Sequence, residues 1–158
     1  MRRRMPWLLL LPIGIGLLLL VVLRIRQGAE AQRLFEAGEA RLRAPLARAP
    51  ELDRIQASTA RSMLERAEER GCAEVELQPL LREARALEQL QRGDLVFARA
   101  ELEGASRFRG WSPALRVLAA EIARRSGDLE AARFELDEAL LLDAEHPRAL
   151  QVSADLYL

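Results

Sequence analysis

The segment RGDLVFARAELEGA at residues 92–105 is echoed by SGDLEAARFELDEAL at residues 126–140, 34 residues further along the chain. Both segments carry Gly-Asp-Leu, then an Ala, an Arg, a Glu-Leu pair and another Ala in the same order. When residues 79–112 are aligned with residues 113–146, 12 of the 34 positions are identical, which is more than the composition alone produces. A fixed period of this length indicates that the chain stacks similar units.

Each unit is predicted to be a hairpin of two helices. In the unit at residues 113–146, Pro113 suits the first turn of a helix and Ser112 suits its N-cap. Gly127 suits the end of that helix, and Asp128 suits the N-cap of the next one. Apolar side chains recur at helical spacing at Leu115, Leu118, Ile122, Leu129, Ala132, Leu136 and Leu140. The pattern predicts an all-α fold in which Gly-Asp-Leu forms the turn of each hairpin.

The spacing and the small residues resemble the tetratricopeptide repeat family, whose unit is a 34-residue helix–turn–helix. The residues that match the family's motif are Ala98, Leu102, Ala120, Ala132, Leu136, Ala154 and Tyr157. The chain departs from the motif at the tryptophan position, which holds Arg82, Arg116 and Leu150, and at the final proline position, which holds Gly110 and Ala144. The resemblance implies an α-solenoid of repeats at 79–112 and 113–146, followed by a terminal helix at 147–158.

Residues 27–78 are predicted to be a helical segment that contains a degenerate repeat. Residues 29–44 have the pattern of an amphipathic helix. Its apolar face holds Ala31, Leu34, Phe35 and Leu42. The spacing of a second helix recurs at Ala60, Leu64 and Ala67. This predicts one more unit at about residues 41–74, with its first helix interrupted by Pro45 and Pro50.

Residues 1–26 are predicted to be a transmembrane anchor. The 19 residues from Met5 to Leu23 carry no charge, and a helix of that length spans about 28 Å, close to the hydrocarbon thickness of a bilayer. Trp7 stands at one edge, where an indole favours the headgroup level. A cleaved signal peptide is the alternative, because the start is rich in Arg and the sequence AEA at residues 29–31 has the pattern of a cleavage site. The long apolar stretch favours the uncleaved anchor, with its span at residues 5–23.

The orientation of this anchor depends on the Arg residues beside it. Arg2, Arg3 and Arg4 precede the span, and a short Arg-rich tail commonly stays in the cytoplasm. More Arg residues follow the span, and their number alone favours the opposite orientation. Long soluble domains, however, translocate largely regardless of charge. We therefore expect a single-pass protein of the bacterial inner membrane, with its C-terminal domain in the periplasm.

The chain offers few side chains for catalysis. It contains one His, His146, and one Cys, Cys72, which are too few for a multi-ligand zinc site. No glycine-rich phosphate loop stands outside the apolar span. The formal net charge is zero, which provides no electrostatic case for binding nucleic acid. We expect a protein that is not an enzyme and that has no catalytic residues, no cofactor, no metal and no nucleic-acid partner.

The resemblance implies that a groove lined by the first helices binds extended peptides or helices of partner proteins. The groove-facing positions of the family correspond here to Glu83, Leu87, Leu90, Val117, Glu121, Arg124, Gln151 and Asp155. Glu121 and Arg124 suit a clamp for a polar backbone or a charged side chain. The alternative for these two residues is a surface ion pair between residues i and i+3.

A second candidate contact is the segment SRFRGWSP at residues 106–113. Basic and aromatic side chains alternate in it, at Arg107, Phe108, Arg109 and Trp111. Such a loop suits a contact with a partner protein or a lipid headgroup. The alternative is that Phe108 packs between repeats and Trp111 covers the same seam.

Two functions remain open from the sequence. The first, which the resemblance implies, is a membrane-anchored scaffold for protein–protein interaction that recruits a partner or helps to assemble a complex. The second is a structural accessory subunit of a larger integral membrane complex. A free groove favours the first function, and co-purification in fixed stoichiometry favours the second. In both, the expected partners are membrane-associated proteins.

Overall fold

The computed structural model describes residues 7–44 and 50–157, and within these residues the chain forms seven α-helices and no strand. The helices are α1 Trp7–Arg43, α2 Pro50–Glu69, α3 Glu74–Arg92, α4 Leu95–Arg109, α5 Pro113–Arg125, α6 Leu129–Leu142 and α7 Pro147–Tyr157. The predicted all-α class is confirmed, and a terminal helix forms where the sequence places one.

The helices pack in chain order as a stack of hairpins. Helix α1 pairs with α2, α3 pairs with α4, and α5 pairs with α6. Each hairpin contacts the next through α2 with α3 and α4 with α5, and α7 packs on both helices of the third hairpin. The first helices also touch one another, because α1 contacts α3, α3 contacts α5 and α5 contacts α7. This order of contacts is that of a helical repeat stack.

The Gly-Asp-Leu segment forms the turn within two hairpins, as the sequence predicts. Gly93 and Gly127 adopt φ angles of 82° and 86°, in the left-handed region that glycine enters without steric cost. The following carboxylates cap the second helices. Asp94 and Asp128 each accept a hydrogen bond from the backbone N–H three residues further on, at 3.2 and 3.0 Å. Each cap satisfies a donor that the helix end would otherwise leave unpaired.

The first helices of these two hairpins begin differently. Helix α5 begins at Pro113, as predicted, and the hydroxyl of its N-cap Ser112 accepts a hydrogen bond from the backbone N–H of Leu115 at 3.3 Å. Helix α3 instead begins at Glu74, so that Pro79 lies inside the helix. A proline close to a helix N-terminus removes a single backbone hydrogen bond, which explains why α3 tolerates it.

Small residues occupy the contact between the two helices of each hairpin. Ala86 in α3 and Ala120 in α5 are completely buried, which allows close approach of the neighbouring backbone. The second helices bury an equally spaced set of residues. These are Ala98, Leu102 and Ala105 in α4, and Ala132, Leu136 and Ala139 in α6. The 34-residue repeat of the sequence is therefore also a repeat of the packing.

An ion pair links the two helices of each of these hairpins. Arg82 Nη1 lies 3.1 Å from Glu101 Oε2, and Arg116 Nη1 lies 2.7 Å from Glu135 Oε2. The two arginines are 34 residues apart, and so are the two glutamates. The arginines stand at the position where the resembled family has a tryptophan, so a charged contact occurs here in place of an apolar one.

The upstream hairpin begins earlier in the chain than the sequence predicts. The predicted apolar face of residues 29–44 is buried at Ala31, Phe35 and Leu42. Gly38 on the same segment lies so close to α2 that an added Cβ would be 2.8 Å from Leu64 Cγ. The first helix of this hairpin is therefore the second half of α1, and placing the unit at residues 41–74 was wrong. Pro50 opens α2 rather than interrupting a first helix.

Helix α1 continues without a break through the predicted boundary between residues 26 and 27. Before that boundary, the apolar side chains of residues 19–23 are 46% to 62% exposed. Within the part of the chain that is described, no helix is long and apolar enough to cross a membrane. Most of the predicted anchor at residues 5–23 falls outside that part, because residues 1–6 and the side chains of residues 7–18 are not described.

Candidate functional site, a cavity beside the first helices

A cavity of about 430 Å³ lies where the N-terminal ends of α5 and α7 meet α3 and the C-terminal end of α1. Its volume is in the range of known ligand pockets. The apolar part of its lining includes Leu42, Pro79, Leu80, Pro113, Ala114, Leu115 and Pro147. The polar part consists of Glu39, Arg43, Glu83, Arg109, Ser112, Asp143 and His146. The cavity therefore joins apolar walls to side chains of both charges.

Glu83 of α3 is 6% exposed and lines this cavity. Burial raises the pKa of its carboxyl group to about 7, while the charges of Arg148, Arg43 and Arg109 act in the opposite direction. Among the described residues, Glu83 is influenced by these charges and by Glu39 rather than by hydrogen bonds. Its carboxyl group therefore titrates near neutral pH and keeps hydrogen-bonding capacity for a molecule that enters the cavity.

His146 lies at the edge of the cavity and caps α7. Its Nδ1 accepts a hydrogen bond from the backbone N–H of Ala149 at 3.3 Å. Burial lowers the pKa of the imidazole, against the opposing charge of Asp143. An accepting Nδ1 places the proton of the neutral ring on Nε2. The contact gives His146 a structural role at the start of the last helix.

The structure places the eight predicted groove residues in two different environments. Five are buried, namely Glu83, Leu87, Leu90, Val117 and Glu121. Three are partly or fully exposed, namely Arg124, Gln151 and Asp155. The three apolar residues belong to the hydrophobic cores that join neighbouring helices, so their side chains are not open to a partner in this structure. Among the eight, Glu83 is the residue that lines the cavity.

Glu121 and Arg124 do come together, but their contacts extend into the stack. Arg124 Nε and Nη2 lie 2.9 and 2.8 Å from the two carboxylate oxygens of Glu121. Arg125 Nε lies 3.1 Å from the same carboxylate, and Arg125 Nη1 donates to the carbonyl oxygen of Leu90 in α3. Burial by itself raises the pKa of Glu121, but the hydrogen bonds and charges of the two arginines lower it overall. Glu121 therefore helps to hold α5 against α3.

The aromatic residues of the 106–113 segment carry arginine side chains on their rings. The guanidinium carbon of Arg82 lies 5.8 Å from the ring centroid of Phe108, and that of Arg116 lies 4.8 Å from Trp111. These distances are in the range of cation–π contacts. Phe108 is 52% exposed and Trp111 is 39% exposed. Trp111 also lines a small cleft formed by α4, α5 and α6, so it lies at the seam between hairpins.

The two arginines of this segment lie in different places. Arg107 is exposed at the surface. Arg109 lines the cavity, and its Nη2 donates a hydrogen bond to the carbonyl oxygen of Glu76 at 3.0 Å. The segment therefore connects the end of α4 to the start of α3, and it contributes one cation to the cavity.

Several cavity residues were not candidates from the sequence, among them Ala114 and Asp143. They stand at or just before the N-terminal ends of first helices. A signal for them was present, because Pro79, Pro113 and Pro147 recur at the 34-residue period. That alignment places the starts of three first helices side by side, and the loops beside them follow.

Comparisons with protein-family models, with curated proteins and with solved structures found no match for this chain. Within the described residues, no group of three or more His, Cys, Asp and Glu side chains is arranged to hold a metal ion. The functional interpretation therefore rests on the cavity, the exposed faces and the sequence pattern.

Proposed function

We propose that this protein is a membrane-anchored scaffold of tetratricopeptide-like hairpins that binds a partner protein and recruits it or helps to assemble it. The observation that carries the proposal is the cavity to which α1, α3, α5 and α7 all contribute side chains. A partner segment in this cavity contacts elements from the whole length of the stack. Repeat proteins commonly use such an extended surface for recognition.

The lining of the cavity suits a polypeptide segment. Leu80 and Leu115 offer apolar contact area for one side chain of a partner. Glu83 offers a buried carboxyl group for hydrogen bonds to a backbone or a polar side chain. Arg43 and Arg109 add positive charge to the lining. A mixture of apolar area and a few convergent polar groups is the usual composition of a binding pocket.

The membrane anchor is part of the same proposal. Its support is the uncharged sequence from Met5 to Leu23 and the exposure of the apolar side chains of residues 19–23. Further along α1, Ala31, Phe35 and Leu42 are buried in the hairpin stack. The surroundings of α1 thus change along its length, and lipid is the environment that suits its apolar first half. We place the hairpin domain in the periplasm.

The cavity is tested by photocrosslinking in native membranes. The photoreactive residue p-benzoylphenylalanine is placed at Ala114 in the cavity wall or, as a control, at Val96, which is 79% exposed on α4. We expect a defined partner protein to be crosslinked from position 114 and not from position 96. Crosslinks from position 96 alone would show that the partner binds elsewhere. A complex of fixed stoichiometry that crosslinks through residues 7–23 alone would favour the structural accessory subunit instead.

The anchor is tested separately by extraction and protease accessibility. An integral protein stays in the membrane pellet at alkaline pH in carbonate, whereas a peripheral protein is released. In intact spheroplasts, added protease should digest the hairpin domain if it lies in the periplasm. Release by carbonate would remove the anchor from the proposal, and protection from protease would reverse the orientation.

A further inference from the structure

One helix face lies open at a position that is closed in both preceding hairpins. Ala86, Ala120 and Ala154 stand 34 residues apart on α3, α5 and α7. Ala86 and Ala120 are completely buried, whereas Ala154 is exposed. Leu150, one turn earlier on α7, is 49% exposed. We call the surface formed by Leu150 and Ala154 the α7 face.

The two preceding hairpins show what covers this face. Helix α4 packs on α3 and α6 packs on α5, each with a buried Ala, Leu and Ala at the same spacing. Helix α7 contacts α5 and α6, and within the described residues no second helix packs on its open face. A helix with a buried small–large–small stripe is therefore the shape that fits the α7 face.

The chemistry of the covering helix must differ from that of α4 and α6 at one position. Leu150 stands at the same place in its unit as Arg82 and Arg116, each of which pairs with a glutamate of the covering helix. A glutamate placed over Leu150 has no cation to pair with and is desolvated at a cost. An apolar residue at that position instead gains contact area with Leu150.

We propose that the α7 face is a docking surface for one amphipathic helix of a partner protein, which lies antiparallel to α7 as α6 lies against α5. The helix presents a small–large–small apolar stripe, with an apolar residue at the position that corresponds to Glu135. Basic residues flank the stripe, because residues 121–158 hold four Arg and nine Asp or Glu, a formal charge of −5. The same excess of negative charge opposes docking of a second copy of this end. This surface is separate from the cavity of the proposed function.

The test uses two synthetic helices as probes against the full-length protein in nanodiscs. Both have the sequence of residues 126–143 and a staple between positions 133 and 137, which are exposed in α6. One probe keeps Glu135 and the other carries Glu135→Leu. We expect the substituted probe to bind about tenfold more tightly in fluorescence anisotropy, a ratio that corresponds to one poorly compensated charge. Equal binding, no binding, or a preference for the unsubstituted probe would overturn the proposal.

Protein variants then locate the site. Leu150→Arg recreates the environment of Arg116, so we expect the preference to reverse toward the probe that keeps Glu135. Val96→Arg, a charge added at an exposed apolar residue of α4, should leave the preference unchanged. If Leu150→Arg does not fold, Ala154→Glu provides the second variant, and it should weaken the substituted probe about tenfold. Concentration-dependent dimerisation of the wild type that Ala154→Glu abolishes would assign the face to a second copy and overturn the partner-helix proposal.

Discussion

Arg148 Nη1 at the start of α7 lies 3.4 Å from the carbonyl oxygen of Leu42 at the end of α1, although 106 residues separate them in the chain. In a simple repeat stack each unit contacts its neighbours alone. Here a side chain of the last helix reaches the first hairpin beside the cavity. The two ends of the stack are therefore coupled, and the cavity has walls from both of them.

This coupling predicts a local effect of Arg148→Ala. The substitution removes a buried hydrogen bond and the largest opposing charge acting on Glu83. We expect the free energy of local opening of α7 to fall by about 1 to 2 kcal/mol. Hydrogen–deuterium exchange should be faster at residues 147–157 than in the wild type. Arg107→Ala, at an exposed arginine, is the control, and equal exchange in both variants would contradict the coupling.

The raised pKa of Glu83 predicts a pH dependence of stability. The folded state binds the proton more tightly than the unfolded state, because burial raises the pKa from 4.5 to about 7. The resulting stabilisation is complete below about pH 4.5 and is lost as the pH rises through about 7. Glu83→Gln keeps a neutral group of similar shape, so the variant should gain stability relative to the wild type between pH 5 and 8, by at most about 3 kcal/mol.

Urea unfolding of both proteins at several pH values measures this difference. The comparison isolates Glu83, since Glu121 and His146 are present in both proteins. The charged groups that face Glu83 are Arg148 on α7, Arg43 and Glu39 on α1, and Arg109 on α4. A stability difference that does not change with pH would show that Glu83 is not the titrating group.

The repeated ion pairs predict unequal effects of the same substitution. The side chain of Arg116 is 18% exposed and faces both Glu135 and Glu138, whereas that of Arg82 is 36% exposed and faces Glu101. Burial strengthens a charge interaction and raises the cost of leaving a partner unpaired. Arg116→Ala should destabilise the protein by about 2 kcal/mol and Arg82→Ala by about half as much. Thermal melting followed by circular dichroism measures both, and equal losses would argue against burial as the cause.

Two glycines of α1 predict opposite outcomes for one substitution. A Cβ added at Gly38 would be 2.8 Å from Leu64 Cγ, whereas a Cβ at Gly28 meets no atom within 4 Å. Gly28→Ala should stabilise the helix by about 0.5 to 1 kcal/mol, since alanine has the higher helix propensity. Gly38→Ala should destabilise the protein by about 1 to 3 kcal/mol through overpacking. Chemical denaturation distinguishes the two, and stabilisation by both would mean that α1 and α2 are not in close contact.

Much of the local structure was predictable from the sequence because it depends on residues close together in the chain. A glycine that accepts a positive φ, an aspartate that caps the next helix and an apolar stripe at helical spacing act within a few residues. For this reason the Gly93–Asp94 and Gly127–Asp128 turns and the helix at Pro113 were placed correctly. The start of α3 at Glu74 was not, because a proline near a helix N-terminus is compatible with a start at or before it.

The sequence by itself thus determined the period, the turns and the all-α class of this protein. The tertiary structure alone decided which helix faces remain open. Leu87 and Val117 were predicted to face a groove, yet they are buried, because neighbouring first helices cover them. Conversely, Ala154 has the same residue type as the buried Ala120 but is exposed. The exposure of a helix face is a property of its neighbours in space, and those neighbours are brought together by residues as distant in the chain as Leu42 and Arg148.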